Sequence, residues 1–152
     1  MGAMAERLKI LAINGPNLNM LGTREPEIYG AQTLADIEAR CRSICEEGGA
    51  ELEWMQSNSE AEIVSLVQQA AGNADWIVIN AAGLTHVSVP LRDALALYPG
   101  RKIEIHLSNV HKRESFCDHS MISAVVDGVV LGFGAMSYVM AIRGILEMVR
   151  ES

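Results

Sequence analysis

The chain has 152 residues, 49% of them hydrophobic and 20% charged, and 12 Lys and Arg stand against 19 Asp and Glu for a net charge of −7. That length suits one ordinary domain, expected over residues 1–152, and so acidic a balance argues against wholesale nucleic-acid binding while leaving room for a local arginine pocket. No apolar run approaches the roughly 20 residues that span a bilayer, so neither a membrane span nor a signal peptide is expected.

Met1-Gly2-Ala3-Met4 reads as a cloning remnant ahead of a second start methionine, with residues 1–6 outside the ordered fold. The first β-branched run, residues 9–14, predicts a buried strand. A long segment follows, from Asn14-Gly15-Pro16-Asn17-Leu18 through Arg24-Glu25-Pro26 to Tyr29-Gly30. Strand and helix usually join through fewer residues. Long loops beside a strand end often act as lids or binding loops, and a lid is expected over about residues 18–30. It carries an arginine five residues ahead of a tyrosine. A guanidinium beside a phenol stabilises the phenolate, and a phenolate is a usable base.

Thr33 reads as the N-cap of a helix with Leu34, Ile37, Cys41, Ile44 and Cys45 on its inner face and Gly48-Gly49 as its stop. Cys41 and Cys45 fit small core positions better than metal ligands. With Cys117 the cysteine count is odd, no metal site is expected, and a reducing cytoplasm is the simplest compartment. A strand at 51–56 leads to Ser59-Glu60-Ala61-Glu62, a capping box opening a helix with Ile63, Leu66, Val67 and Ala70 inward.

The strand at 76–80 ends on Asn80. Asn80 and His86 offer neutral donors and acceptors suited to sugar-like hydroxyls; alternatively Asn80 only caps the strand, and His86 or Ser88 begins the helix of residues 88–98, which Pro99-Gly100 ends. Arg92 and Asp93 on that helix are either an exposed charge pair or a contribution to a neighbouring subunit's site. In the strand at 102–106, Glu104 and His106 are two apart and share a side. A carboxylate against one ring nitrogen fixes the tautomer and raises the basicity of the imidazole, making a proton donor available near neutrality. The competing reading is a structural pair at a subunit contact. Beyond the strand, the amides around Leu107 and Ser108, with the Ser108 hydroxyl, make a cradle for a carboxylate.

Residues 110–120 are polar and basic for so acidic a chain. They are either a solvated loop or a means for Arg113 to reach the pocket and hold a tyrosinate or anion. After a strand at 128–131, Gly132-Phe133-Gly134 reads as a tight turn. It is not a dinucleotide fingerprint, because serine replaces the third glycine and no acidic ribose partner follows. The last helix, about 135–150, is expected to turn Val139, Ile142, Leu146 and Val149 inward. There is no Walker motif, nucleophile elbow or zinc set, so a redox cofactor is not indicated.

Strands alternating with helices imply right-handed crossovers and an α/β fold: a flavodoxin-like, five-stranded parallel sheet with helices on both faces. Ligands of such sheets bind beyond the carboxyl ends of the strands. The polar segments 14–29, 80–88, 104–108 and 110–120 should therefore converge.

With these pieces in place, the chain resembles the type II 3-dehydroquinate dehydratases from about residue 9 to 150. The resemblance lies in Asn14-Gly15-Pro16-Asn17-Leu18 with Arg24-Glu25-Pro26 and Tyr29-Gly30, in Leu84-Thr85-His86 with Leu91-Arg92-Asp93-Ala94, and in Glu104-Ile105-His106-Leu107-Ser108-Asn109-Val110-His111. It implies no metal or organic cofactor, and anti dehydration of 3-dehydroquinate to 3-dehydroshikimate through an enolate. By the same resemblance Tyr29 is the base, Arg24 and Arg113 favour its phenolate, and Asn17 positions a water on the enolate oxygen. His106, oriented by Glu104, protonates the departing hydroxyl. The Leu107 and Ser108 amides take the substrate carboxylate, while Asn80, His86 and Ser108 contact the ring. Asp93 resembles a residue that reaches in from an adjacent subunit, in keeping with the trimers and dodecamers typical of the family. Cys117 departs from the pattern, since the family usually carries an arginine there that contacts substrate hydroxyls, so ring recognition is expected to weaken while the chemistry survives. The alternative is a diverged paralogue binding a related cyclic acid with weak or no dehydratase activity. A flavin-binding module is a poor fit, because the first loop lacks a hydroxyl-rich phosphate cradle.

Overall fold

Five runs rich in β-branched and aliphatic residues form the strands: Leu8–Asn14 (β1), Ala50–Gln56 (β2), Trp76–Asn80 (β3), Arg101–His106 (β4) and Gly128–Leu131 (β5). In the computed structural model, which describes residues 7–23, 27 and 31–152, they make one sheet in the order β2-β1-β3-β4-β5, every pairing parallel. This is the flavodoxin-like order, whose direction reverses between β1 and β3. Arg24, Tyr29 and the stretch Met1-Gly2-Ala3-Met4 lie outside the described residues.

Among the described residues, long helices follow the strands at Leu34–Glu47 (α1), Glu60–Ala70 (α2), Val89–Leu97 (α3) and Met136–Glu151 (α4). Adjacent strand residues point to opposite faces, and each face collects its own core. Ile10, Val78 and Ile105 pack with Ile37, Cys41 and Ile44 of α1 and Tyr138, Ile142 and Ile145 of α4. Leu11, Ile13, Ile77 and Ile79 pack with Ile63 and Val67 of α2 and Leu91 and Leu95 of α3. Cys41 and Cys45 are buried in the first of these layers, where burial pushes the Cys41 thiol up to about 12.

Local signals set the helix ends. Thr33 accepts from the Asp36 amide and Asp36 accepts from the Thr33 amide, a complete capping box. At α2 the expected box is only half made. Ser59 caps the Glu62 amide, but the Glu62 carboxylate turns to the Ser57 hydroxyl at 3.0 Å. Val149, expected inward, is 38% exposed. The inward stripe of α4 ends at Ile145 and half-buried Leu146, and the helix continues beyond them with residues 147–151 exposed. Between β5 and α4 the chain turns through Gly132 and Gly134, both at positive φ, and the Gly134 amide donates to the Leu107 carbonyl. That bond pins the turn against the end of β4.

Candidate active site

β1, β3 and β4 end in Asn14, Asn80 and His106, three buried polar residues at one edge of the sheet. Asn14 and Asn80 are register partners across the point where strand order reverses. The loops that leave them are stitched together. The Gly15 amide donates to the Asn80 carbonyl at 2.8 Å, and a Cβ on Gly15 would stand 2.5 Å from the Ala81 carbonyl oxygen, so only glycine fits. Asn17 adopts a left-handed backbone (φ 72°), and its amide donates to Asn58 Oδ1 at 2.9 Å. Gln56 braces the same turn by donating to the Gly15 carbonyl and to Asn58 Oδ1.

Beneath these loops a hydrogen-bonded chain fixes the orientation of Asn80. The Asn14 amide nitrogen donates to the Met55 carbonyl, so Asn14 Oδ1 faces Tyr138 and accepts its hydroxyl proton at 2.6 Å. The Tyr138 oxygen then accepts from Asn80 Nδ2 at 3.1 Å, and Asn80 Oδ1 accepts from the Ala82 amide. Every orientation in the chain follows from the carbonyl at its start, which can only accept. Replacing Tyr138 with phenylalanine should strand two buried amide atoms and cost about 1–3 kcal/mol of stability. Chemical denaturation measures this; an unchanged midpoint would show that the amides find other partners.

Glu104 and His106 lie side by side as their spacing predicts, with His106 Nε2 2.5 Å from Glu104 Oε2 and both residues buried. Two hydroxyls complete the carboxylate's shell, Ser120 on Oε2 at 3.0 Å and Ser123 on Oε1 at 2.5 Å. Burial alone would raise the Glu104 carboxyl. Hydrogen bonds from His106, Ser123 and Ser120, with the charge of His106, outweigh it and hold the group below its ordinary range. An ionised carboxylate only accepts, so His106 Nε2 carries the proton between them and Nδ1 is left for other work.

The described parts of the polar segments converge as expected. Asn17, Asn80, His86, His106, Leu107, Ser108, Arg113 and Cys117 all line one cavity of about 320 Å³ beyond the carboxyl ends of the strands. His86 Nδ1 lies 2.8 Å from the His119 carbonyl and must donate to it, so the neutral ring keeps Nε2 as an acceptor. Arg113 Nε lies 3.8 Å from Glu114 Oε2. Cys117 is buried with its sulfur 3.9 Å from Glu114, and burial pushes its thiol up. Asp93 is exposed on α3 and does not line this cavity. A larger cavity of about 510 Å³ between β2 and α2 has Lys9, Glu51 and Glu53 as its charged members, and none of them makes an ion pair among the described residues. It has no acid–base pair comparable with Glu104–His106.

Sequence reading missed Ser120, Ser123, Asn14, Tyr138, Gln56 and Asn58. Each acts on a partner distant in sequence, and only the run of polar residues at strand ends hinted at the asparagines. No helix is long and apolar enough to cross a membrane among the described residues.

A doubly wound sheet with a buried carboxylate–imidazole pair opening into a polar cavity defines an acid–base enzyme of the α/β class. The sequence profile described as "Dehydroquinase class II" matches residues 8–146. The chain is 53% identical over 136 residues to the 3-dehydroquinate dehydratase of Azorhizobium caulinodans, covering 90% of this chain and 92% of that one. It is 47% identical over 144 residues to that of Jannaschia sp., covering 95% and 97%. The crystal structure of type II dehydroquinase from Butyrivibrio crossotus superposes with a TM-score of 0.90 at 43% identity, covering 93% of this chain and 98% of that one. The chain belongs to the class II dehydroquinase family.

Proposed function

We propose that this cavity dehydrates 3-dehydroquinate to 3-dehydroshikimate by anti elimination. Family membership and full-length similarity to named 3-dehydroquinate dehydratases support the reaction. The chain is thus a carbon–oxygen lyase, acting in the shikimate route to aromatic compounds or in quinate breakdown. The observation that carries the residue roles is His106, held by buried Glu104, on the wall of the polar cavity.

In this reading the Tyr29 phenolate removes the C2 proton, and its electrons move into an enolate on the C3 carbonyl. A water held by Asn17 bonds the enolate oxygen. Collapse of the enolate breaks the bond from C1 to its hydroxyl, and His106 supplies the proton with which that oxygen leaves as water. Arg24 and Arg113 stabilise the phenolate by their charge. The substrate carboxylate takes the Leu107 and Ser108 amides, and Asn80, His86 and the Ser108 hydroxyl meet polar groups of the ring. Asp93, exposed and not part of its own cavity's lining, serves the site of an adjacent subunit in a homo-oligomer, a dodecamer built of trimers. The enzyme works in the cytoplasm without metal or organic cofactor.

The direct test is to add 3-dehydroquinate and follow the conjugated product by ultraviolet absorbance. Steady product formation is expected, and its absence from folded protein at high concentration would overturn the assignment. Cys117 permits a finer test. A thiol makes no forked set of donors, whereas arginine does. Cys117→Arg should lower KM roughly tenfold, the worth of one charge-assisted hydrogen bond, with kcat little changed. An unchanged KM would favour a related cyclic acid as the ligand.

A further inference from the structure

Ser120 and Ser123 belong to the segment between β4 and β5, and the chemistry above gives neither of them a role. Their hydroxyls nevertheless converge on Glu104. The Ser120 oxygen accepts from the amides of Ile122 at 3.2 Å and Ser123 at 3.1 Å. With both of its acceptor sites occupied, its remaining proton goes to Glu104 Oε2 at 3.0 Å. Ser123 approaches the other carboxylate oxygen at 2.5 Å. A carboxylate that accepts from two hydroxyls and an imidazole is favoured as the anion, with three of its roughly four lone-pair sites committed to donors.

Its neighbours across the sheet add no charge: Glu104 is 1% exposed, and its register partners, Ile79 on β3 and Val129 on β5, are apolar. The charge of His106 helps to lower its carboxyl.

We propose that Ser120 and Ser123 are positioning residues for the proton donor: they hold Glu104 as an anion in one orientation, and that anion fixes the His106 ring with Nδ1 available to the departing hydroxyl. This inference rests on the dehydratase reading for its catalytic consequence but not for the state of the carboxyl. Removing a donor from an anion weakens the anion, so the carboxyl midpoint must rise, and the acid limb of the activity profile must rise with it.

Ser123→Ala is the cleanest probe, because it removes one hydroxyl and leaves the Ser123 amide on Ser120. In the full-length protein, 13C NMR of the Glu104 carboxyl should show a midpoint raised by about one pH unit, the worth of one hydrogen bond to a charged group. In turnover assays, kcat at neutral pH should fall about tenfold with KM changed less than about twofold, since the hydroxyl acts on the donor rather than on bound substrate. Ser123→Thr, which keeps the hydroxyl, should restore both, and Ser120→Ala should shift the same midpoint. An unmoved carboxyl midpoint in folded Ser123→Ala and Ser120→Ala proteins would overturn the proposal, as would a loss of kcat that threonine does not rescue. Wild-type protein inactive on 3-dehydroquinate would overturn the dehydratase reading, and the NMR titration would still decide the carboxyl's state.

Discussion

Alanine in place of His106 is expected to lower kcat on 3-dehydroquinate by about 10²–10⁴-fold, the usual worth of a positioned acid–base group, with KM altered far less. Loss of the proposed leaving-group acid would raise the barrier for departure of hydroxide, a poor leaving group, while the contacts proposed to bind the ring remain. Steady-state kinetics across pH measures the effect, and the neutral variant His106→Gln gives the needed contrast. Glutamine can donate to Glu104 and so spares the buried carboxylate an empty site, yet it carries no transferable proton near neutrality. Its kcat should be as low as that of alanine while its stability is closer to wild type. Full activity in His106→Gln would reduce the pair to a structural contact. The alanine variant also carries a pH signature. Glu104 is held below its ordinary range partly by His106, so it contributes stability above the unfolded carboxyl's range and loses it as pH falls through the folded value. Without His106 that loss should begin at higher pH.

The second large effect concerns the base. Tyr29→Phe should abolish turnover to within the background left by binding alone, a drop of about 10²–10⁴-fold, because the ring keeps its shape and loses the oxygen proposed to take the C2 proton. An ordinary phenol titrates near 10, and each unit of depression corresponds to about 1.4 kcal/mol of preference for the phenolate. Arg24→Ala removes one of two cations proposed to supply that preference. The pH at which activity develops should therefore move upward by about one to three units, the range for one nearby opposite charge. Substantial turnover by Tyr29→Phe would assign proton removal elsewhere, and a pH profile unchanged in Arg24→Ala would take the arginine out of the mechanism.

Much of the sheet was legible because β1 and β3 are short, mostly apolar runs that end in asparagine, the pattern of strands buried on both faces. The Glu104–His106 pair was legible for a local reason: two residues on one strand with a spacing of two must share a side. The partners that complete the site are not local. Ser120 and Ser123 reach Glu104 across 16 and 19 residues, and Tyr138 reaches Asn14 across 124. A serine in a polar loop and a tyrosine on an apolar helix face carry no mark of such a partner, and Tyr138 was hidden among the residues that simply fill the core. Val149 shows the opposite failure. Helical periodicity continues past Leu146, but periodicity says nothing about where the surface it packs on stops. Glu62 followed its capping signal until a nearer hydroxyl, Ser57, competed for the same carboxylate.

The chain Met55–Asn14–Tyr138–Asn80 has a consequence for the order of assembly. Tyr138 belongs to α4, and its hydroxyl is what aligns the asparagines at the ends of β1 and β3. All five strands can pair and still lack that hydroxyl until α4 packs against the sheet. Docking of that helix, rather than strand pairing, therefore sets the amide that Asn80 presents to the cavity.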